Sequence, residues 1–271
     1  MNILGPDALA FGVDDVGACR DCLTAFGLNP VDVDEAGGFF EALDGTGVLV
    51  RGRDDPRLPG PLETATMLRQ TVYGVADQAT VDAIGDELSR DRQVARSDDG
   101  SVETKDDLGF ALKFQVTQRR KLEMDGEKIN APGSPPQRGP NTIGVWQDMP
   151  AKPRTLSHVV CFVPDIATAE AFYVNRLGFK VTDRLLNAGP FLRPAGSSRR
   201  RRRAGSRPSF SSGRCSAALS SPLASTGLIP ALRLSRVLQS HVWLSSPRLS
   251  SRPPSRLRSC TSSPASRSGA R

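Results

Sequence analysis

Leu156-Ser157-His158-Val159-Val160-Cys161-Phe162-Val163-Pro164-Asp165-Ile166 carries an outline that this chain uses three times: an apolar strand, an aspartate at the turn, an amphipathic helix and a glycine opening the next strand. In this copy the helix runs from Ala167 to Leu177 and the glycine is Gly178. An earlier copy reads Ala8-Leu9-Ala10-Phe11-Gly12-Val13-Asp14-Asp15-Val16, with a helix running to Gly27. Another reads Gln70-Thr71-Val72-Tyr73-Gly74-Val75-Ala76-Asp77, with a helix through Leu88. Aligning Asp15, Asp77 and Asp165 brings Ala8, Gln70 and His158 to one structural position. Repetition at this length marks a repeated supersecondary unit. Only the third copy places a metal-capable side chain at that position.

Working outward, residues 6–15 alternate as a strand should, and Asp15 is placed to cap the helix that follows, 16–27. Phe39 to Leu43 and Val48 to Arg51 read as short strands joined by Asp44-Gly45-Thr46-Gly47, a hairpin turn. Arg53 to Pro61 is a Pro-rich connection. The second unit has a strand at 66–75, a helix near 78–90 with Val81, Ile84 and Leu88 on one face, then strands near 92–97, 100–104 and 109–116. Each unit is therefore βαβββ, and the fold class is α+β. Residues 131–154, rich in Pro and Gly, form a linker. The third unit, from Thr155, supplies strands at 156–163, 179–186 and 190–193 around a helix at 166–177. The expected organisation is a paired domain over 1–130, that linker, a partial third module over 155–198 and a tail over 199–271.

In the tail the chemistry of the chain changes. The whole sequence has 36 basic and 29 acidic residues, yet residues 199–271 contain 15 Arg, no Lys and no acid. The front part therefore holds 21 basic against 29 acidic groups, a net charge of −8, and the tail is +15. Arg, Ser and Pro fill 42 of the 73 tail positions, with no apolar periodicity beyond an apolar run at Ala218 to Leu234 suited to a stray helix. Loss of Asp, Glu and Lys with gain of Arg, Ser and Pro is what a GC-rich coding region yields when read out of frame. The tail is expected to be disordered. The biological alternative is a natural basic tail centred on Arg199 to Arg203, which would bind phosphates in a salt-dependent way. With Phe210 and Trp243 as its only aromatics, the tail does not suit base stacking. No specific nucleic-acid partner is expected.

Five cysteines at irregular spacing (Cys19, Cys22, Cys161, Cys215, Cys260) fit reduced thiols better than a disulfide framework. Met1 to Pro6 has no basic n-region or long apolar h-region, and no apolar run approaches the roughly 20 residues of a membrane span. A cytoplasmic location and no membrane partner are the expectations.

The residues then reach a resemblance. Leu156 to Val160, Val163-Pro164-Asp165 and Ala171-Phe172-Tyr173-Val174-Asn175-Arg176-Leu177-Gly178-Phe179-Lys180-Val181 resemble the vicinal oxygen chelate superfamily, which includes glyoxalase I, the bleomycin-resistance proteins and the type I extradiol dioxygenases. Two paired modules ahead of a histidine-bearing third resemble the extradiol dioxygenases in particular, over about residues 5–198. That resemblance implies a catalytic domain made from modules three and four, holding Fe(II) (or another divalent metal) by two histidines and a glutamate. Such a facial triad leaves positions open, where a small aromatic diol chelates beside dioxygen. His158 matches the first ligand.

The acid–base histidine, the second histidine ligand and the glutamate have no counterpart. Arg199 to Arg203 stand where the fourth strand of module three should begin, and no glutamate follows Glu170. His241, the other histidine, lies in Ser240-His241-Val242-Trp243-Leu244 without a surrounding module. The implied site is thus a single metal ligand, His158, with no catalytic residue assigned and no stable metal. The alternative reading is a non-catalytic, glyoxalase-like protein that binds a small ligand, since Ala8 and Gln70 cannot usefully ligate iron. A homo-oligomer is compatible with either.

Bland readings govern the remaining features. Cys19-x-x-Cys22 sits within a helix with no second pair nearby, so it is neither zinc nor redox motif. Gly45-x-Gly47 is a hairpin turn, not a phosphate loop. Tyr173 packs in the module core. Arg199 to Arg203 are not read as a nuclear-localisation patch.

Overall fold

The computed structural model describes residues 1–63, 67–124, 130, 132–143, 150, 152–185 and 189–197, and the backbone of strands at 216–220 and 242–244. The first unit is β1 (Ile3–Val13), α1 (Val16–Ala25), β2 (Asn29–Asp34), β3 (Gly37–Glu41) and β4 (Gly47–Gly52). The second is β5 (Leu68–Val75), α2 (Gln78–Leu88), β6 (Ala95–Arg96), β7 (Val102–Lys105) and β8 (Ala111–Val116). Each of these units is βαβββ.

The repeated aspartates do the same work in all three copies. Asp15 Oδ1 accepts the N–H of Ala18 at 2.8 Å, and Asp77 Oδ1 that of Thr80 at 2.8 Å. Asp165 Oδ1 accepts from the N–H groups of Ala167 at 2.9 Å and Thr168 at 3.2 Å. Each satisfies donors that a helix start leaves free, which typically contributes about 1 kcal/mol. At the far ends, Gly27 (φ 97°) and Gly178 (φ 74°) adopt the left-handed conformation that stops a helix at little cost to glycine.

Eight strands make the first sheet, in the order β2-β3-β4-β1-β5-β8-β7-β6. Within each unit the first and last strands run parallel, β1 with β4 and β5 with β8, and the two units join antiparallel through β1 and β5. The inward sides of these strands supply Leu9, Phe11, Val13, Tyr73, Val75, Leu112 and Phe114, which pack with Val81, Ile84 and Leu88 of α2. Sequence reading missed β2. Its residues Asn29-Pro30-Val31-Asp32-Val33-Asp34 are polar because it is an exposed edge strand, and Asp32 takes a left-handed φ of 50°.

The third unit comprises β9 (Leu156–Phe162), α3 (Ile166–Ala171), a π-helical turn (Phe172–Arg176), β10 (Lys180–Leu185) and β11 (Gly189–Arg193). The helix expected as one piece over 166–177 therefore changes pitch at Phe172. Two further strands join this sheet: β12 (Ser216–Ser220) and β13 (Val242–Leu244), in the order β10-β11-β12-β9-β13. β12 runs parallel to β9, as β4 does to β1, and β13 lies antiparallel on the other edge, as β5 does on β1.

This differs from the sequence reading, which placed no strand after Arg193 and allowed a stray helix from Ala218. The backbone takes Ser216–Ser220 as the fourth strand of the partial module. A five-residue segment of small and apolar residues fits between β11 and β9 without any helical periodicity. The remainder of the expected disordered tail, Arg199 to Arg203 and His241 included, lies outside the described residues.

The hairpin turn read as Asp44-Gly45-Thr46-Gly47 fixes where β9 begins. The N–H groups of Leu43 and Asp44 donate to the carbonyls of Pro153 (3.0 Å) and Arg154 (3.1 Å). Thr46 Oγ1 accepts the Leu156 N–H at 2.6 Å and donates to Asp44 Oδ1 at 2.6 Å. Thr46 is 1% exposed, so valine there leaves the buried Leu156 N–H without its acceptor, while Asp44 Oδ1 keeps the Thr46 N–H at 3.0 Å. Thr46→Val is expected to lose about 1–3 kcal/mol in urea unfolding, and Thr46→Ser much less. Equal stability of Thr46→Val and the parent chain would show that this bond does not hold β9.

Candidate functional site

His158 lies on β9, partly buried, between Leu156 and Val159, both of which face the core. Ala8 and Gln70 have the same setting: each is partly exposed and each is followed by a buried residue, Leu9 or Thr71. The three positions aligned from the repeat therefore share one side of their strands. Ser157 Oγ lies 2.9 Å from His158 Nδ1, and burial lowers the imidazole pKa below its ordinary 6.5. In the tautomer where Nδ1–H donates to Ser157 Oγ, the neutral ring presents the Nε2 lone pair, the form in which histidine binds metals.

The register across the second sheet defines what surrounds it. Ser216 of β12 and Trp243 of β13 stand opposite His158 on either side. The neighbouring row on that side runs from Val160 through Ala218 and Phe191 to Asp183. Asp183 is three strands from Val160, about 14 Å at the usual strand spacing, so it cannot share an ion with His158. Arg193 and Lys180, paired across β11 and β10, add positive charge to this sheet.

The other candidate donors turn away from His158. Cys161 has its thiol pushed by burial up to about 12, which keeps it protonated near neutral pH. Glu170 is engaged by the Arg184 guanidinium at 2.5 Å and 2.8 Å. Among the described residues no three His, Cys, Asp or Glu side chains come together as a metal site. One imidazole does not fit the two-histidine, one-glutamate set that the resemblance implies.

The bland readings also find their places. Cys19 is buried and Cys22 exposed on α1, and both are free thiols. Gly45 (φ 84°) turns the β3–β4 hairpin. Tyr173 is buried against Tyr73 and Phe179. No helix of the described residues is long and apolar enough to cross a membrane.

Neither a protein-family profile nor a curated protein sequence matches the chain. Solved structures do. A halotolerant catechol dioxygenase, BphC, superposes with a TM-score of 0.52 at 17% identity, covering 81% of this chain and 65% of that one. A Mn(II)-bound glyoxalase from Novosphingobium aromaticivorans gives 0.50 at 17% identity, over 82% and 62%. A variant of homoprotocatechuate 2,3-dioxygenase from Brevibacterium fuscum gives 0.52 at 16%, over 81% and 54%. The chain thus spans between 54% and 65% of the length of these three proteins. The chain therefore shares its fold with extradiol dioxygenases and a glyoxalase.

Proposed function

We propose that this chain is an extradiol-dioxygenase-type protein whose metal site is incomplete, so that it does not cleave catechols. Fold likeness alone carries no activity, and the reading rests on one observation at the site. At the repeated position where the first two units carry Ala8 and Gln70, the third carries His158, with no second ligand among the described residues. The functional ancestor under this reading used Fe(II) and an aromatic diol, with His158 as its first metal ligand. Residues 1–130 are its paired N-terminal domain, 131–154 the linker and 155–198 the first part of the catalytic domain. The Arg/Ser/Pro-rich residues 199–271 are then a frame-shifted replacement for the rest of that domain.

Two measurements test this. After anaerobic loading with Fe(II) and desalting, the full chain is expected to retain far less than stoichiometric iron, unchanged by His158→Ala, since metal affinity follows ligand count. Stoichiometric iron that His158→Ala abolishes would overturn the reading. The nucleotide sequence around codons 183–205 is expected to encode, in a shifted frame, a continuation bearing the missing histidines and glutamate; its absence from every frame would remove the frameshift.

A further inference from the structure

The joint between the first two units pairs a strand with its own repeat. Across it Ala8 stands opposite Val72, Leu9 opposite Thr71 and Ala10 opposite Gln70. In the alignment on the capping aspartates, the third-unit counterparts of Ala8, Leu9 and Ala10 are His158, Val159 and Val160. Those of Gln70, Thr71 and Val72 are the same three residues. The register is therefore symmetric. Carried over to β9, it sets Val159 opposite the Val159 of a second copy, and His158 opposite that copy's Val160. A strand pair that maps onto itself under a half-turn is what an isologous two-fold interface requires.

The edge of β9 that would make this pair is thinly held. In the first sheet β5 pairs with β1 at seven positions between Ile3 and Phe11. β13 takes the same edge of β9 at three positions, Leu156, His158 and Val159. The side of the sheet that carries His158 is also apolar. Val160 and Phe191 are half-buried there, and Phe162 and Leu185 are 39% and 56% exposed. By register they lie on the opposite side from the buried Val159 and Leu192.

We propose that two copies of this chain pair antiparallel through β9, and that the pairing brings both His158 imidazoles to one divalent-cation site that neither copy has alone.

The inference rests on the reading of His158 as a remaining ligand and takes the second ligand from a second copy. Within one chain, the described residues form no such group. In the transferred register the two His158 residues are diagonal neighbours on one side of the joined sheet, as Ala8 and Gln70 are across β1 and β5. Diagonal neighbours lie about 7–8 Å apart. Two imidazoles span that gap to one shared cation, whose bonds to nitrogen are about 2.0–2.1 Å long for zinc. With Nδ1–H donating to Ser157 Oγ, each ring offers Nε2 to it. Two imidazoles are not the three-ligand set of an oxygenase, so the cation is held reversibly and is lost on desalting. A full β9–β9 ladder covers more of the strand than β13 does, and its formation depends on protein concentration.

The test is sedimentation velocity of the full chain over a concentration series, with and without Ni(II), a cation suited to imidazole. High salt screens the charge of the Arg-rich tail. A reversible dimer is expected, and Ni(II) at ten times its dissociation constant should tighten it about tenfold. Equilibrium dialysis should give one Ni(II) for every two chains. His158→Ala should keep the strand pairing and lose the Ni(II) response. Val160→Lys, which sets an ammonium beside each imidazole of the partner copy, should lose that response as well. A chain that stays monomeric with Ni(II), binding of one Ni(II) per chain, or a Ni(II) response that survives His158→Ala would overturn the proposal. The proposed lack of ring cleavage fails on different grounds, by iron kept at one per chain through desalting.

Discussion

Phe179→Ala is expected to destabilise the protein by about 3–5 kcal/mol, the usual range for emptying a buried phenylalanine site. Phe179 is 0% exposed and follows the glycine that ends the third-unit helix. Its ring meets Tyr73 edge-on at 5.8 Å and Tyr173 at 5.4 Å, so it is bonded by packing to both the second and third units. Favourable edge contacts of this type add about 0.5–1.5 kcal/mol each beyond area burial. Alanine would leave a void between the Tyr73 and Tyr173 rings. At 2–4 °C per kcal/mol for a protein of this size, the melting temperature should drop by roughly 6–20 °C. Circular dichroism of the two proteins checks this. A loss under about 1 kcal/mol would place Phe179 outside the shared core.

Much of this architecture was legible because three independent signals coincide at each repeat. Asp15, Asp77 and Asp165 carry the cap, Gly27 and Gly178 the stop, and the apolar alternation the strand. The parts that were not legible have physical reasons. β2 is a polar edge strand, so nothing in its composition records a buried face. The change of pitch at Phe172 falls where Tyr173 and Arg176 bond Asp106, Glu87 and Asp91 of the second unit, partners with no signature in local spacing. β12 and β13 take their places through backbone pairing with β9, which requires no side-chain pattern of their own. Of the site, His158 was readable because the repeat isolates it against Ala8 and Gln70. The hydrogen bond from the Tyr173 hydroxyl to Asp106 was not, because the two residues are 67 positions apart and each reads alone as an ordinary turn or core residue.

Under the proposed reading, the larger expected consequence is the loss of ring cleavage itself. A facial triad fixes the metal through three protein groups while leaving room for both reactants. His158 alone cannot supply it. The absent acid–base group would by itself cost about 10²–10⁴-fold, and changes merely around a ligand set cost about 10–100-fold. Together these would put turnover about 10³–10⁶-fold below that of a complete site. The direct test is to load the full chain with Fe(II) under anaerobic conditions, add catechol or 2,3-dihydroxybiphenyl, admit oxygen and follow the yellow ring-fission product. No product above the iron-only control is the predicted result; turnover that disappears in His158→Ala would contradict it and show that residues beyond 197 complete the metal site.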